Sequence, residues 1–232
     1  MSSAQAAEIN VIASTAMREV LEELAPMFER ASGHKVTVTF MSGAVLPVKL
    51  KEGAQADLVV TTPETVDDLV KAGKVAPGSG APFVRSAAGV AVRAGAKKPD
   101  VSTPEALKAA LLAAKTVGYS QGTSGQHFLT VVQKFGIADA IKAKAVITQG
   151  RPVGVAIASG EAEIGVQQVA ELLPVPGVDF VAVMPGELQK QIPYSAGIPA
   201  KAKDAATARA LVQFLRSEPA LATLKQKGMD LP

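Results

Sequence analysis

Hydroxyl, amide and glycine residues recur in short clusters along a chain otherwise rich in Ala, Val and Leu: Ser14-Thr15, Ser42-Gly43, Thr61-Thr62, Ser120 to Gly125, Gly150-Arg151 and Gln167-Gln168. Side chains of this kind donate hydrogen bonds without formal charge, and glycine lets a ligand approach the backbone, so the set suits capture of a small oxyanion or carboxylate. The densest cluster, YSQGTSGQHF at residues 119 to 128, also holds one of the two histidines. Within it Thr123-Ser124-Gly125-Gln126 reads as a capping box, Thr123 being the cap and Gln126 reaching back. His127 is a candidate general base, Arg151 is a candidate carboxylate clamp, and Arg85 falls in the extended crossing segment. Each has a plainer reading: a hydroxyl before a helix commonly only caps it, a lone histidine is commonly hydrogen-bonded in place, and most arginines are solvated. Recurrence of the pattern, not any one cluster, points to a ligand.

Other chemistries find little footing. Cysteine is absent, which removes disulfides, thiolate metal sites and a cysteine nucleophile, and His34 and His127 are too far apart in sequence to read as a zinc pair. The glycines of GTSG lack phosphate-loop or dinucleotide spacing, so no cofactor is expected. The net charge is +3, but the 24 basic residues are scattered, and with no Trp and only 4% aromatic residues neither a nucleic-acid face nor a stacking platform is indicated. No apolar run approaches the roughly 20 residues that cross a bilayer. With 232 residues, 48% hydrophobic and 19% charged, the chain can bury a core and divide into two lobes. Ala4-Gln5-Ala6 is a small-x-small pattern like a signal-peptidase site with no basic and apolar leader before it, which reads as the mature part of a periplasmic protein; a cytoplasmic location is the alternative.

The elements that must position these clusters alternate from the start. Ile9 to Ala13 reads as a strand, Ser14-Thr15 as the N-cap of a helix carrying Val20, Leu21, Leu24 and Phe28 at helical spacing, with a kink expected at Pro26 and a stop at Gly33. Val36 to Phe40 and Ala56 to Val60 are further strands, followed by helices from Val45 and from the start signal Thr62-Pro63-Glu64. Three strand-helix units in succession imply a parallel sheet covered by helices. Pro77 to Pro82 punctuates the chain before the extended run Phe83 to Arg93. Thr103-Pro104-Glu105 starts another helix, and short strands follow at Val117 to Tyr119, Ala145 to Thr148 and Ile164 to Val166, then at Val178 to Met184 and Tyr194 to Ile198; helices over Val153 to Ser159, Asp204 to Leu215 and on to Lys227 complete the expectation. The polar clusters then fall where strands end and helices begin, the place where α/β sheets bind ligands.

Four stretches carry a resemblance: INVIASTAMREVLEELAPMFERASGHKVTVTFMSGAV and GAQADLVVTTPETVDDLVKAGKV, then IASGEAEIGVQQ, and finally FLRSEPALATLKQKGMDL. Together they resemble the molybdate-binding branch of the type II periplasmic solute-binding proteins over nearly the full length. The resemblance implies an α/β fold of two lobes, 1–83 with 197–232 and 84–196, joined by two crossing segments and closing on a ligand in a cleft. It implies oxyanion contacts at Ser14, Ser42, the turn from Thr123 to Gly125, the amide near Gly150 and the position after Val166, in a monomer that hands its ligand to an ABC-type permease. The chain departs from the branch at Gln167, where molybdate binders usually carry Tyr, and in the more polar loop at 119 to 128. Aconitate isomerase is similar to the same broad family, so an isomerase acting on a small carboxylic acid, with His127 as base, stands beside the binding reading. A cytoplasmic ligand-sensing domain is the third reading, and no DNA-binding module supports it.

Overall fold

The structure, a computed structural model, describes residues 6–232; Ala4 and Gln5 of the small-x-small pattern lie outside the described residues. Strand β1 (Glu8–Ser14) leads through a 3-10 turn at Thr15–Met17 into α1 (Arg18–Ser32), then β2 (Lys35–Met41), α2 (Val45–Glu52), β3 (Leu58–Thr61) and α3 (Pro63–Lys71). The long strand β4 (Ala81–Arg93) is followed by α4 (Pro104–Ala113), β5 (Val117–Ser120), α5 (Thr123–Lys134), α6 (Ala138–Lys142) and β6 (Ala145–Thr148). After these come α7 (Val153–Ala158), β7 (Ile164–Gln168), α8 (Val169–Leu172), β8 (Val178–Val183), β9 (Gln191–Gly197), α9 (Ala205–Leu215), α10 (Glu218–Gln226) and β10 (Met229–Asp230). Helix starts follow their chemistry: Thr62 Oγ1 accepts from Thr65 N ahead of Pro63, Thr103 does the same for Ala106 N ahead of Pro104, and Asp204 accepts from Thr207 N. Helix α1 continues through Pro26 and ends at Gly33, whose φ of 77° is left-handed.

The chain divides into two compact units. The first runs to Arg85 and resumes over Pro193–Gln226 and Asp230–Pro232; the second is Ser86–Ile192 with Lys227–Met229. Strands β4 and β9 each continue across the boundary. In the first unit the order is β2-β1-β3-β9, the first three parallel and β9 antiparallel to β3. Ile12 and Val59 pack on one face with Leu46 and Leu50 of α2 and Val66 and Leu69 of α3. Helix α1 buries Val20, Leu21, Leu24 and Phe28, the last with its ring 5.6 Å from that of Phe214 on α9. Buried Asp57 closes the loop before β3: its carboxylate accepts from Asn10 N at 2.9 Å, Lys203 N at 2.6 Å and Asp204 N at 3.1 Å.

In the second unit the order is β4-β7-β5-β6, with β8 and β10 also on β4. Strand alternation splits the core: Val90, Val92, Val117, Tyr119, Ile164 and Val166 face α4 and α5, while Ala91 faces Val153, Ala156 and Ile157 of α7. Gly165 lies under α7, where a Cβ would stand 2.6 Å from Ile157 Cδ1, so its lack of a side chain sets how closely the helix sits on the sheet. Residues 227–229, expected with the first lobe, join this unit because β10 pairs with β4 and the Gly228 carbonyl accepts from Ser86 Oγ at 3.1 Å.

Candidate functional site

Parallel pairing puts strand ends of one polarity side by side. In the first unit Ser14 lies opposite Met41 and Ala13 opposite Val60, so Ser14-Thr15, Ser42-Gly43 and Thr61-Thr62 share one end of the sheet. In the second, Ser120 lies opposite Thr148 and Tyr119 opposite Val166, which aligns the corner at Gly150-Arg151, the loop Ser120 to Gly125 and the pair Gln167-Gln168. Each unit therefore gathers three of the six donor clusters.

Their hydrogen-bonding states differ. Ser14 is 8% exposed, ends β1 without capping the turn that follows, and its hydroxyl has no partner among the described residues. Ser124, in the first turn of α5, is 1% exposed and equally without a partner, beside backbone N–H groups that a first turn leaves unpaired. Thr148, which sequence reasoning treated only as a strand end, carries a buried hydroxyl with no partner among the described residues. Thr15, Ser42, Gly43, Thr123 and Gly150 are exposed, while Thr62 caps α3.

Several expectations are corrected. Thr123 is not the cap of α5: Gly122 takes that position, with no side-chain cap bond, because Ser120 Oγ accepts from Gly122 N and the chain enters the helix one residue earlier. Nor do Ser14 or Thr15 cap α1, whose N-cap is Met17. A Cβ on Gly125 would fall on the Ser120 carbonyl, so what approaches this glycine is the chain's own backbone. The carboxylate expected for Arg151 is internal: its guanidinium bonds Glu161 at 2.9 and 2.5 Å, and this pair with the Ser159 hydroxyl holds Glu161 down at about 2. His127 Nε2 lies 2.7 Å from the Leu188 carbonyl, which only accepts, so the ring donates there in a structural bond.

A profile of the family described as bacterial extracellular solute-binding protein matches residues 9–230. The chain belongs to that family. Among curated relatives of this solute-binding protein, aconitate isomerase from Pseudomonas sp is 33% identical over 95% of this chain and 87% of its own, and molybdate-binding protein ModA from Azotobacter vinelandii is 29% identical over 98% and 92%. The solved Azotobacter vinelandii periplasmic molybdate-binding protein matches in fold with a TM-score of 0.78 at 22% identity, covering 97% of this chain and 99% of its own. The tungstate-binding protein TupA from Desulfovibrio alaskensis matches with 0.67 at 16% identity over 94% of both. The fold is thus the α/β type II solute-binding fold, in its molybdate-binding-like branch.

At the corner where this branch departs, the solute-binding protein has an internal network. Gln167 is buried, and its Oε1 accepts from Val153 N at 2.7 Å, in the first turn of α7; Gln168 Nε2 donates to Glu171 Oε2 at 3.0 Å. Glu171 is the second residue that sequence reasoning missed. The residue keeps some accessible surface, yet its carboxyl is enclosed, and burial pushes it up to about 7 against the hydrogen bonds from Gln168 and Gln167 that favour ionisation. Since the folded value lies above the ordinary 4.5, the native chain holds a proton that the unfolded chain releases between those limits, and stability falls as pH rises from 4.5 through 7. Glu171→Gln is therefore expected to match the parent at pH 4 and to exceed it by roughly 3 kcal/mol at pH 8, as urea unfolding at the two pH values will read.

Proposed function

We propose that the chain captures a small oxyanion or carboxylate in the periplasm and delivers it to an ABC-type permease, acting as a monomer. The observation that carries this reading is the pair Ser14 and Ser124: in each unit a serine of low overall exposure, whose hydroxyl has no partner among the described residues, stands at the donor-rich end of a parallel sheet. An anion accepting their protons would give each hydroxyl the charge-assisted hydrogen bond that no described residue supplies. The neighbouring residues Ser42, Thr62, Thr123 and Gly150 lie at the same ends and supply further amide or hydroxyl groups. Titrating molybdate, tungstate, sulfate and a panel of di- and tricarboxylates while following the melting temperature tests it, since a ligand bound only by the folded form raises that temperature. One anion class is expected to stabilise the parent, and Ser14→Ala or Ser124→Ala to weaken its binding about tenfold, the value of one charge-assisted hydrogen bond. No stabilisation by any of these anions at millimolar concentration would sink the proposal.

A second reading is an isomerase of small unsaturated carboxylic acids on the same scaffold. It is favoured by the likeness to aconitate isomerase along almost the whole chain and by a carboxyl group poised near neutrality at Glu171.

A further inference from the structure

The first unit holds a crevice of about 230 Å³ that none of the donor clusters lines. Strand β9 supplies much of its floor. Gly197 turns toward the face covered by α2 and α3, where a Cβ would stand 3.1 Å from Val75 and 3.2 Å from Val66. Alternation therefore sends Ala196 and Ile198 to the opposite face, beside Leu58 at the start of β3. Register also fixes the end of the sheet: Thr61 pairs with Ser195 and Val59 with Gly197, so Leu58 and Ile198 lie toward the end remote from Ser14, Ser42 and Thr62.

Helix α9 forms one rim, where Arg209, Val212 and Gln213 share a stripe while Ala208, Leu211 and Leu215 are buried. The turn at Gly78 and Ser79, with Ala81, forms the other. That wall is tied down: Ser79 Oγ donates to the Ala76 carbonyl at 2.7 Å and accepts from Ile198 N at 3.1 Å, and Ala76 N donates to the Ile198 carbonyl at 2.9 Å. The shape is thus set in advance, so an occupant loses little affinity to ordering the protein. The lining is chemically lopsided. Its floor is hydrocarbon, no acidic residue contributes, and the one charge is Arg209. Whereas Arg18 and Arg151 pair with Glu22 and Glu161, the exposed Arg209 guanidinium has no partner among the described residues, and neither does the Gln213 side-chain amide one turn on.

We propose that this crevice is a second ligand site, which takes a small monocarboxylic acid with a compact apolar body. The hydrocarbon rests on Leu58, Ala196 and Ile198, and the carboxylate meets the Arg209 guanidinium and the Gln213 amide at the rim. An apolar cavity of about 150 Å³ is enough to hold benzene, so the volume here admits a ring or branched chain together with its carboxylate. Molybdate or sulfate has no apolar surface to bury, and a di- or tricarboxylate would set further charges against hydrocarbon with a single cation to meet them. The site is therefore independent of whatever the donor clusters capture.

Phenylacetate is the probe, with acetate lacking the apolar body and phenylacetamide lacking the charge. Titrated into the nitrogen-15-labelled chain, phenylacetate is expected to give saturable shifts of the Ala196, Ile198, Val212 and Gln213 amides, with the same curve in a Ser14→Ala, Ser124→Ala double variant. Acetate should give none. Arg209→Gln, at an exposed position, should fold as the parent does and weaken phenylacetate roughly fivefold, to the level of phenylacetamide, which is the most an exposed charge pair ordinarily contributes. Ala81→Leu, which fills the crevice and leaves Arg209 in place, should abolish the shifts. Shifts centred on residues 14–17 or 120–125 instead, or none that saturate by about 10 mM, overturn the proposal. Undiminished affinity in Arg209→Gln, or acetate binding as tightly as phenylacetate, overturns it as well.

Discussion

Replacing Asp57 by Ala is expected to destabilise the first unit by roughly 3–5 kcal/mol, the sum left when several buried donors lose one charged acceptor. The carboxylate is 2% exposed and receives three backbone N–H groups, from Asn10 on β1 and from Lys203 and Asp204 ahead of α9. Alanine leaves all three facing an apolar void. Asn retains a single acceptor oxygen and should lose about half as much. A drop in melting temperature on the order of 10 °C is the corresponding thermal signal for a chain of this size. A loss below 1 kcal/mol in urea unfolding would mean that water or a backbone shift replaces the carboxylate.

Gly125→Ala is expected to cost roughly 3 kcal/mol or more, although alanine is the better helix former by about 1 kcal/mol. The new methyl would overlap the carbonyl, and press on the nitrogen, of Ser120, and these are backbone atoms with no rotamer to escape into. The first turn of α5 must lift from the end of β5, taking Ser124 with it, so anion binding should weaken along with stability. Gly43→Ala is the control: a Cβ there meets nothing within 4 Å, and φ is not positive, so unfolding should be nearly unchanged. Equal behaviour of the two variants would remove the steric account.

Much of this arrangement was legible because local chemistry and tertiary packing agree. Thr62-Pro63 and Thr103-Pro104 start helices wherever they occur, and apolar runs before Ser14, Ser42, Ser120 and Gln167 become parallel strands whose ends share a polarity. The capping box at Thr123 misled because it counts residues from the wrong side of a turn: Gly122 can enter the helix extended, and the hydroxyl of Ser120 already serves its N–H. Arg151 misled because its partner, Glu161, lies ten residues on, across a helix. Glu171 and Asp57 were invisible for a different reason. An acidic residue in the first turn of a helix or before a strand looks solvated, and only the packing of neighbouring elements turns it into an enclosed carboxyl. Helices α6 and α8 and strand β10 are too short for periodicity to reveal.

Strand β9 pairs with β3 through Thr61 and Ser195, partners separated by more than a hundred residues that include nearly all of the second unit. Closing so long a loop costs entropy before any contact compensates it, and contacts of high sequence separation slow folding. Refolding is therefore expected to be ordered in time: Ser86–Ile192, almost contiguous, consolidates early, and the ends of the polypeptide zip together last. Chaperone dependence should accordingly track variants that loosen the inserted segment more than those in α9 or α10.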